Sequence, residues 1–208
     1  MAARILYDSA MRVGPWIVAA LLVFGGYRWF TTRDIERAPG VLAAEEPTQT
    51  ALDAVSGIER GDFRLMPRAE FSARVRILRR EDYSAGPLAT LVPTDLAVGW
   101  GPMSDSGVLG AIEISQGNRF YYWRTETWPI PREVIESHSA NWHLIPENDV
   151  VGRALARLRA GSVVELRGRL VDIEGKEGGM RTSLSRTDTG AGACEILLAN
   201  SLLLVDAG

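Results

Sequence analysis

Three residues carry the parts of a cysteine hydrolase. Cys194 is the only cysteine in 208 residues, His143 is one of two histidines, and Asn141 lies two positions before His143. In such enzymes an imidazole favours the thiolate and an amide orients the ring. The order in the chain is immaterial, because these groups assemble in space. Against that chemistry, Cys194 opens the apolar run C-E-I-L-L, with no helix N-terminus after it and no cation beside it. Such surroundings predict a buried, inert thiol. A single cysteine also excludes an internal disulfide, and two histidines leave a zinc cage dependent on carboxylates.

Asp188-Thr189-Gly190-Ala191 spells the four-residue signature of retropepsin-type aspartic proteases. There the aspartate follows two apolar residues; here Arg186 and Thr187 precede it, and only about 20 residues follow. A glycine-rich turn is the expectation, with Asp188 a weak catalytic candidate beside Cys194 and His143. Asp95, Asp105, Glu113, Glu147, Asp149, Asp172 and Asp188 could pair as acid and base, but no spacing matches a calcium loop. They are expected to be solvated carboxylates, with no metal and no cofactor. A net charge of −3 gives no reason to expect nucleic acid as a partner, and Arg74, Arg76, Arg79 and Arg80 form the only dense basic cluster.

The aromatic residues are less ordinary. Gly99-Trp100-Gly101-Pro102-Met103-Ser104-Asp105 sets a rigid ring on a flexible backbone, and Ser139-Ala140-Asn141-Trp142-His143-Leu144-Ile145-Pro146 reads as a second aromatic loop. With Tyr121, Tyr122, Trp123 and Trp128 they form either a large core or a docking surface. Both strings are expected to be connections, meeting at one end of the domain together with the Asp188–Cys194 turn. The binding residues expected there are Trp100, Asp105, Asn141, Trp142, His143, Arg186 and Asp188.

The strings W-G-P-M-S-D, S-A-N-W-H-L-I-P and D-T-G-A-G-A-C-E, in this order behind an N-terminal apolar run, resemble a family of N-terminally membrane-anchored proteobacterial proteins. The resemblance spans about Phe71 to Val205. It implies a shared fold and a shared site around the strings, and it carries over no activity.

These residues need elements to position them. Residues 13–30 are almost uninterruptedly apolar, and about 18 helical residues reach roughly 27 Å, close to the hydrocarbon thickness of a bilayer. Residues 1–12 are then a tail, 13–30 a transmembrane anchor, 31–67 a linker and 68–208 the folded domain. Arginines on both sides of the span leave orientation open. The short tail and large following domain favour an inner-membrane signal anchor with a periplasmic domain. Thr50 to Glu59 could form a short helix. Alternation at Phe71, Ala73, Val75 and Ile77 predicts a strand, as does Arg119 to Arg124. Pro131 opens a short helix and Asn148 or Asp149 caps another, ended by Gly161. The tail of the chain reads as three strands, from Val163, from Met180 to Arg186, and from Cys194 to Val205. The expected fold is mainly β (α+β), a small OB-like barrel with one or two short helices.

The expected function is a membrane-anchored binding or assembly protein that docks a protein partner. A Cys/His hydrolase, a carboxylate-dependent barrel nuclease and a small-ligand envelope sensor are the alternatives. Topology is open to a direct test: alkaline phosphatase fused after Ala44 should be active in a bacterial host. Fluorescence from a cytoplasmic reporter at that junction would reverse the orientation.

Overall fold

The computed structural model describes residues 15–26, 33–53, 55–176, 178–185, 188, 190 and 192–205. It divides into two units, residues 1–34 and 35–208. In the first, residues 15–26 are helical (α1). Among the described residues no helix is long and apolar enough to cross a membrane. The expected span, 13–30, extends past the described residues of α1 at both ends.

The second unit is mainly β. Its organising element is β3 (Phe63–Asp82), a strand of 20 residues. From Leu65 to Ile77 every second side chain is buried, while Arg64, Arg68 and Glu70 face water. That period of two is what a half-buried strand dictates. One edge of β3 pairs over Phe63–Arg76 with β8 (Val163–Gly175). Its other edge takes β2 (Ile58–Arg60), then β1 (Thr48–Ala51), then β4 (Thr94–Gly99). The predicted helix over Thr50–Glu59 is therefore strand at both ends. Much of the stretch read as a tether, from Ile35 to Pro67, belongs to the folded unit, because β3 offers it a free edge.

Pairing then continues from β4 to β7 (Ser139–Pro146), from β7 to β9 (Glu195–Val205) and from β9 to β8, which returns to β3. The strands form a ring, β3-β4-β7-β9-β8, in which only β7 and β9 run parallel. Register shifts at Ile77/Arg79, Pro67/Ala69 and Arg167/Gly168 supply the bends that closure of such long strands needs. Cys194 immediately precedes β9, as expected. The expected strand over Met180–Arg186 is reduced to one bridge, Ile173 to Met180.

The main core gathers side chains from all five ring strands, among them Phe71, Val75, Leu96, Val98, Trp142, Leu144, Leu166 and Leu197. The rings of Phe71 and Trp142 meet edge to face at 5.3 Å. Helix α4 (Asp149–Leu155) adds Val151 and Leu155, with Leu158 following. Its N-terminus is capped as predicted: the Asn148 side chain accepts from the Val150 and Val151 amides at 3.0 and 3.1 Å. A second cluster, with Leu65, Val92, Ile145, Val171, Ile196 and Leu198, packs on the opposite face of the same strands.

Between β4 and β7 the chain makes an excursion. It contains a 3-10 turn (Gly101–Ser104), α2 (Ser106–Leu109), the hairpin β5 (Glu113–Gly117) and β6 (Phe120–Arg124), and α3 (Arg132–Ser137). Met103, Ile112 and Ile135 are its own small core, with Trp123 against them.

Gly168 lies at the β8–β9 register shift, where a Cβ would collide with the Leu198 carbonyl. Gly168→Ala is expected to cost about 1–3 kcal/mol through overpacking, read as a lower midpoint in denaturant unfolding. An unchanged midpoint would mean that this strand crossing yields.

Candidate functional site

The string Ser139–Pro146 is a strand and not a loop. Every residue from Ser139 to Ile145 is buried, because β7 sits between β4 and β9 and is covered on both faces. Alternation therefore divides the string. Ala140, Trp142 and Leu144 enter the main core. Asn141 and His143 point the other way, on the face that also carries Asp95 of β4, the register partner of His143.

Asp95 and His143 are each 1% exposed, and His143 Nδ1 lies 2.9 Å from Asp95 Oδ1. The contact is an ion-pair approach, not an aligned hydrogen bond. Arg119 Nη1 donates to the same oxygen at 3.0 Å and to the Val92 carbonyl at 2.9 Å. One buried carboxylate thus serves two cations, which is the condition under which such a charge is tolerated. Burial pulls the imidazole pKa down, but the Asp95 carboxylate and the Cys194 sulfur near it outweigh that and raise the pKa to about 9. At neutral pH the ring is an imidazolium.

Arg119 reaches this pair from the tip of the β5–β6 hairpin. Asn118 and Arg119 take left-handed backbone conformations, φ 54° and 68°, which a tight hairpin turn demands and which non-glycine residues seldom adopt. The turn is held by its contacts. The Arg119 amide donates to the Tyr83 hydroxyl at 3.1 Å, and its guanidinium stacks 3.6 Å from that ring. The Arg119 carbonyl accepts from Asn141 Nδ2 at 3.1 Å and faces Cys194 Sγ at 3.9 Å. Gln116 Nε2 donates to Asn141 Oδ1 at 2.8 Å, and Asn141 Nδ2 lies 3.8 Å from Cys194 Sγ.

Beside this network opens a cleft of about 690 Å³. Its walls are Phe120, Tyr121, Tyr122, Trp123 and Trp128, with Arg124, Arg132 and Glu136; its far side includes Ser185, Asp188, Ala193, Cys194 and Glu195. Trp123 and Trp128 meet edge to face at 5.9 Å. Trp100 also lines the cleft; it is 2% exposed, and its indole N–H is buried without an acceptor.

The expected site residues therefore separate. Trp100, Asn141, Asp188 and Cys194 line one cleft, with His143 buried behind Cys194. Asp188 is itself held by the Ser183 hydroxyl, which donates to it at 2.6 Å. Trp142 does not line the cleft; it is a core side chain, turned away by the strand period. Asp105 does not line it either. Its carboxylate accepts from the Gly40 and Gly107 amides, which hold its pKa low, and Ser104 Oγ binds the Leu42 and Ala43 amides. The string around Trp100 thus ties down residues 40–43 as well as presenting its ring. Arg186 lies outside the described residues. Cys194 is half-buried at the cleft, so the expectation of a buried thiol is corrected. Asp95, expected to be a solvated carboxylate, is instead buried, and Arg119 was missed as a site residue. A lone aspartate inside the buried strand T-D-L-A-V-G was the available signal.

Among the described residues no group of histidine, cysteine and carboxylate side chains could hold a metal ion. No family model matches the chain, and no curated protein or solved structure matches it either.

The raised imidazole pKa couples folding to pH. A group whose folded pKa exceeds its unfolded value stabilises fully below the unfolded pKa, about 6.5 for histidine, and loses that contribution as pH rises through the folded value. The groups facing His143 are Asp95, Arg119 beyond it, and Cys194. Unfolding free energy should fall by about 3 kcal/mol between pH 6.5 and 9.5. Denaturant titrations at the two pH values check this, and His143→Gln should flatten the difference. Equal stability at both would show a neutral ring.

Proposed function

We propose that the chain is a membrane-anchored binding protein whose β domain receives a segment of a protein partner in the aromatic cleft. The observation that carries this is Trp100, a buried indole N–H with no acceptor, at the wall of a cleft lined by rings. A buried donor left unpaired costs about 1–3 kcal/mol, and a carbonyl from an incoming chain would satisfy it. Phe120, Tyr122 and Trp128 are 38, 53 and 56% exposed, a concentration of accessible aromatic surface of the kind that dominates protein contacts.

The finer fold assignment is part of the same proposal. Numbered along the chain, the ring strands β3, β4, β7, β8 and β9 pair in the order 1-2-3-5-4-1, with α4 between the third and fourth. That is the connectivity of an OB-like barrel, a scaffold that carries binding sites on its loops. The cleft lies between the second-to-third-strand excursion and the fourth-to-fifth-strand connection. Residues 13–30 serve as the anchor, with the domain on the periplasmic side of the inner membrane.

A photo-crosslinking side chain placed at Tyr122 in the full-length protein, in its membrane, tests the reading. The expected result is one discrete adduct with a protein, weakened by Trp100→Phe, which removes the N–H together with the five-membered ring. The same probe at Leu203, an exposed β9 residue that does not line the cleft, should give none. Adducts of equal yield at both positions would overturn the proposal.

A further inference from the structure

Cys194 is not a lone cysteine in this fold. It sits half-buried at the wall of the cleft, while the imidazole behind it and the carboxylate beyond are sealed from water. The parallel pairing of β7 with β9 sets Trp142 opposite Glu195, which brings Asn141 beside Cys194. Three of the four groups thus come from the neighbouring strands β4 and β7, and Cys194 lies immediately before β9.

We propose that Cys194 is the nucleophile of an acyl-transfer site, taking acyl groups from activated esters or thioesters. His143 carries the proton, and Asp95 is a positioning residue that holds the ring through Nδ1. In the first step the Cys194 thiolate attacks the acyl carbon, a C–S bond forms, the bond to the leaving oxygen or sulfur breaks, and the His143 imidazolium supplies the proton that the leaving group takes. In the second, water attacks the thioester, gives one proton back to His143 and keeps the other in the carboxylic acid, and the C–S bond breaks to return the Cys194 sulfur as the thiolate. No oxidant or metal enters, and a chain with one cysteine cannot run dithiol exchange within itself.

Asn141 narrows the substrate class. Its Nδ2 carries two hydrogens; one is taken by the Arg119 carbonyl at 3.1 Å, and the atom lies 3.8 Å from Sγ. The other hydrogen is therefore placed for the oxygen of an acyl group on Sγ, as oxyanion donors are. One such donor is modest support, which suits esters and thioesters with good leaving groups better than peptide bonds. The aromatic walls suit an apolar acyl chain.

The test uses the full chain in detergent with p-nitrophenyl butyrate as the probe. The expected result is a burst of p-nitrophenolate and a single butyryl group on the peptide containing Cys194, absent in Cys194→Ser. His143→Gln should slow acylation by about 10²-fold or more. Asp95→Asn should displace the pH profile of the rate, which loss of packing alone would not do. Should either variant fail to fold, native and urea-unfolded wild type are compared directly. Acylation no faster in the native protein, or a label on another residue, would overturn the proposal. The crosslinking at Tyr122 is independent of this chemistry, so either result can stand without the other.

Discussion

The Asp95 carboxylate is the constraint around which this domain is arranged. A charge buried to that depth is tolerable only when its partners are fixed, and its partners come from two different places. His143 arrives through the register of the adjacent strand. Arg119 arrives from a hairpin that belongs to the excursion between β4 and β7. The excursion is therefore fastened to the ring by charge as well as by its small apolar core. The left-handed turn at Asn118 and Arg119 follows from the same need, since it delivers an amide, a carbonyl and a guanidinium to separate acceptors and donors at once.

β7 shows how one strand serves two ends. Its Trp142 and Leu144 help fill the core shared by all five ring strands, while Asn141 and His143 face a polar network on the other side. A shift of one residue in pairing would exchange the two sets and bury an imidazole among leucines, so the apolar half specifies the polar half. The site is held by the same interactions that hold the fold.

How much of this could be read from the residues follows from the range of each signal. The alternation from Phe71 to Ile77, the proline before α3 and the asparagine before α4 are local patterns, and each element stands where they place it, though α4 ends at Leu155 and not at Gly161. The mainly β character follows from such patterns too. Ser139–Pro146 was misread because asparagine, histidine and proline suggest a connection, whereas here Asn141 and His143 are satisfied by Gln116, Arg119 and Asp95, which no local window contains. Met180–Arg186 was misread for the converse reason: its pattern suits a strand, but its described residues make one bridge at Met180 and one hydrogen bond from the Ser183 amide to the Cys194 carbonyl. Cys194 could be placed at the head of its strand from its neighbours alone. Its company could not.

The ring has a further consequence for the order in which the molecule is made. Its closing pair joins β3 to β8, with Arg76 opposite Val163, and the groups about Cys194 are drawn from Asp95, Arg119, Asn141 and His143. Contacts so distant along the chain form late, because loop-closure entropy is lost before they repay it. A nascent chain would have made β3 and β4 long before Cys194 left the ribosome. The thiol then enters its surroundings only when β9 slots between β7 and β8. Assembly of the ring and completion of the site are thereby a single event, and a chain truncated before β9 would contain neither.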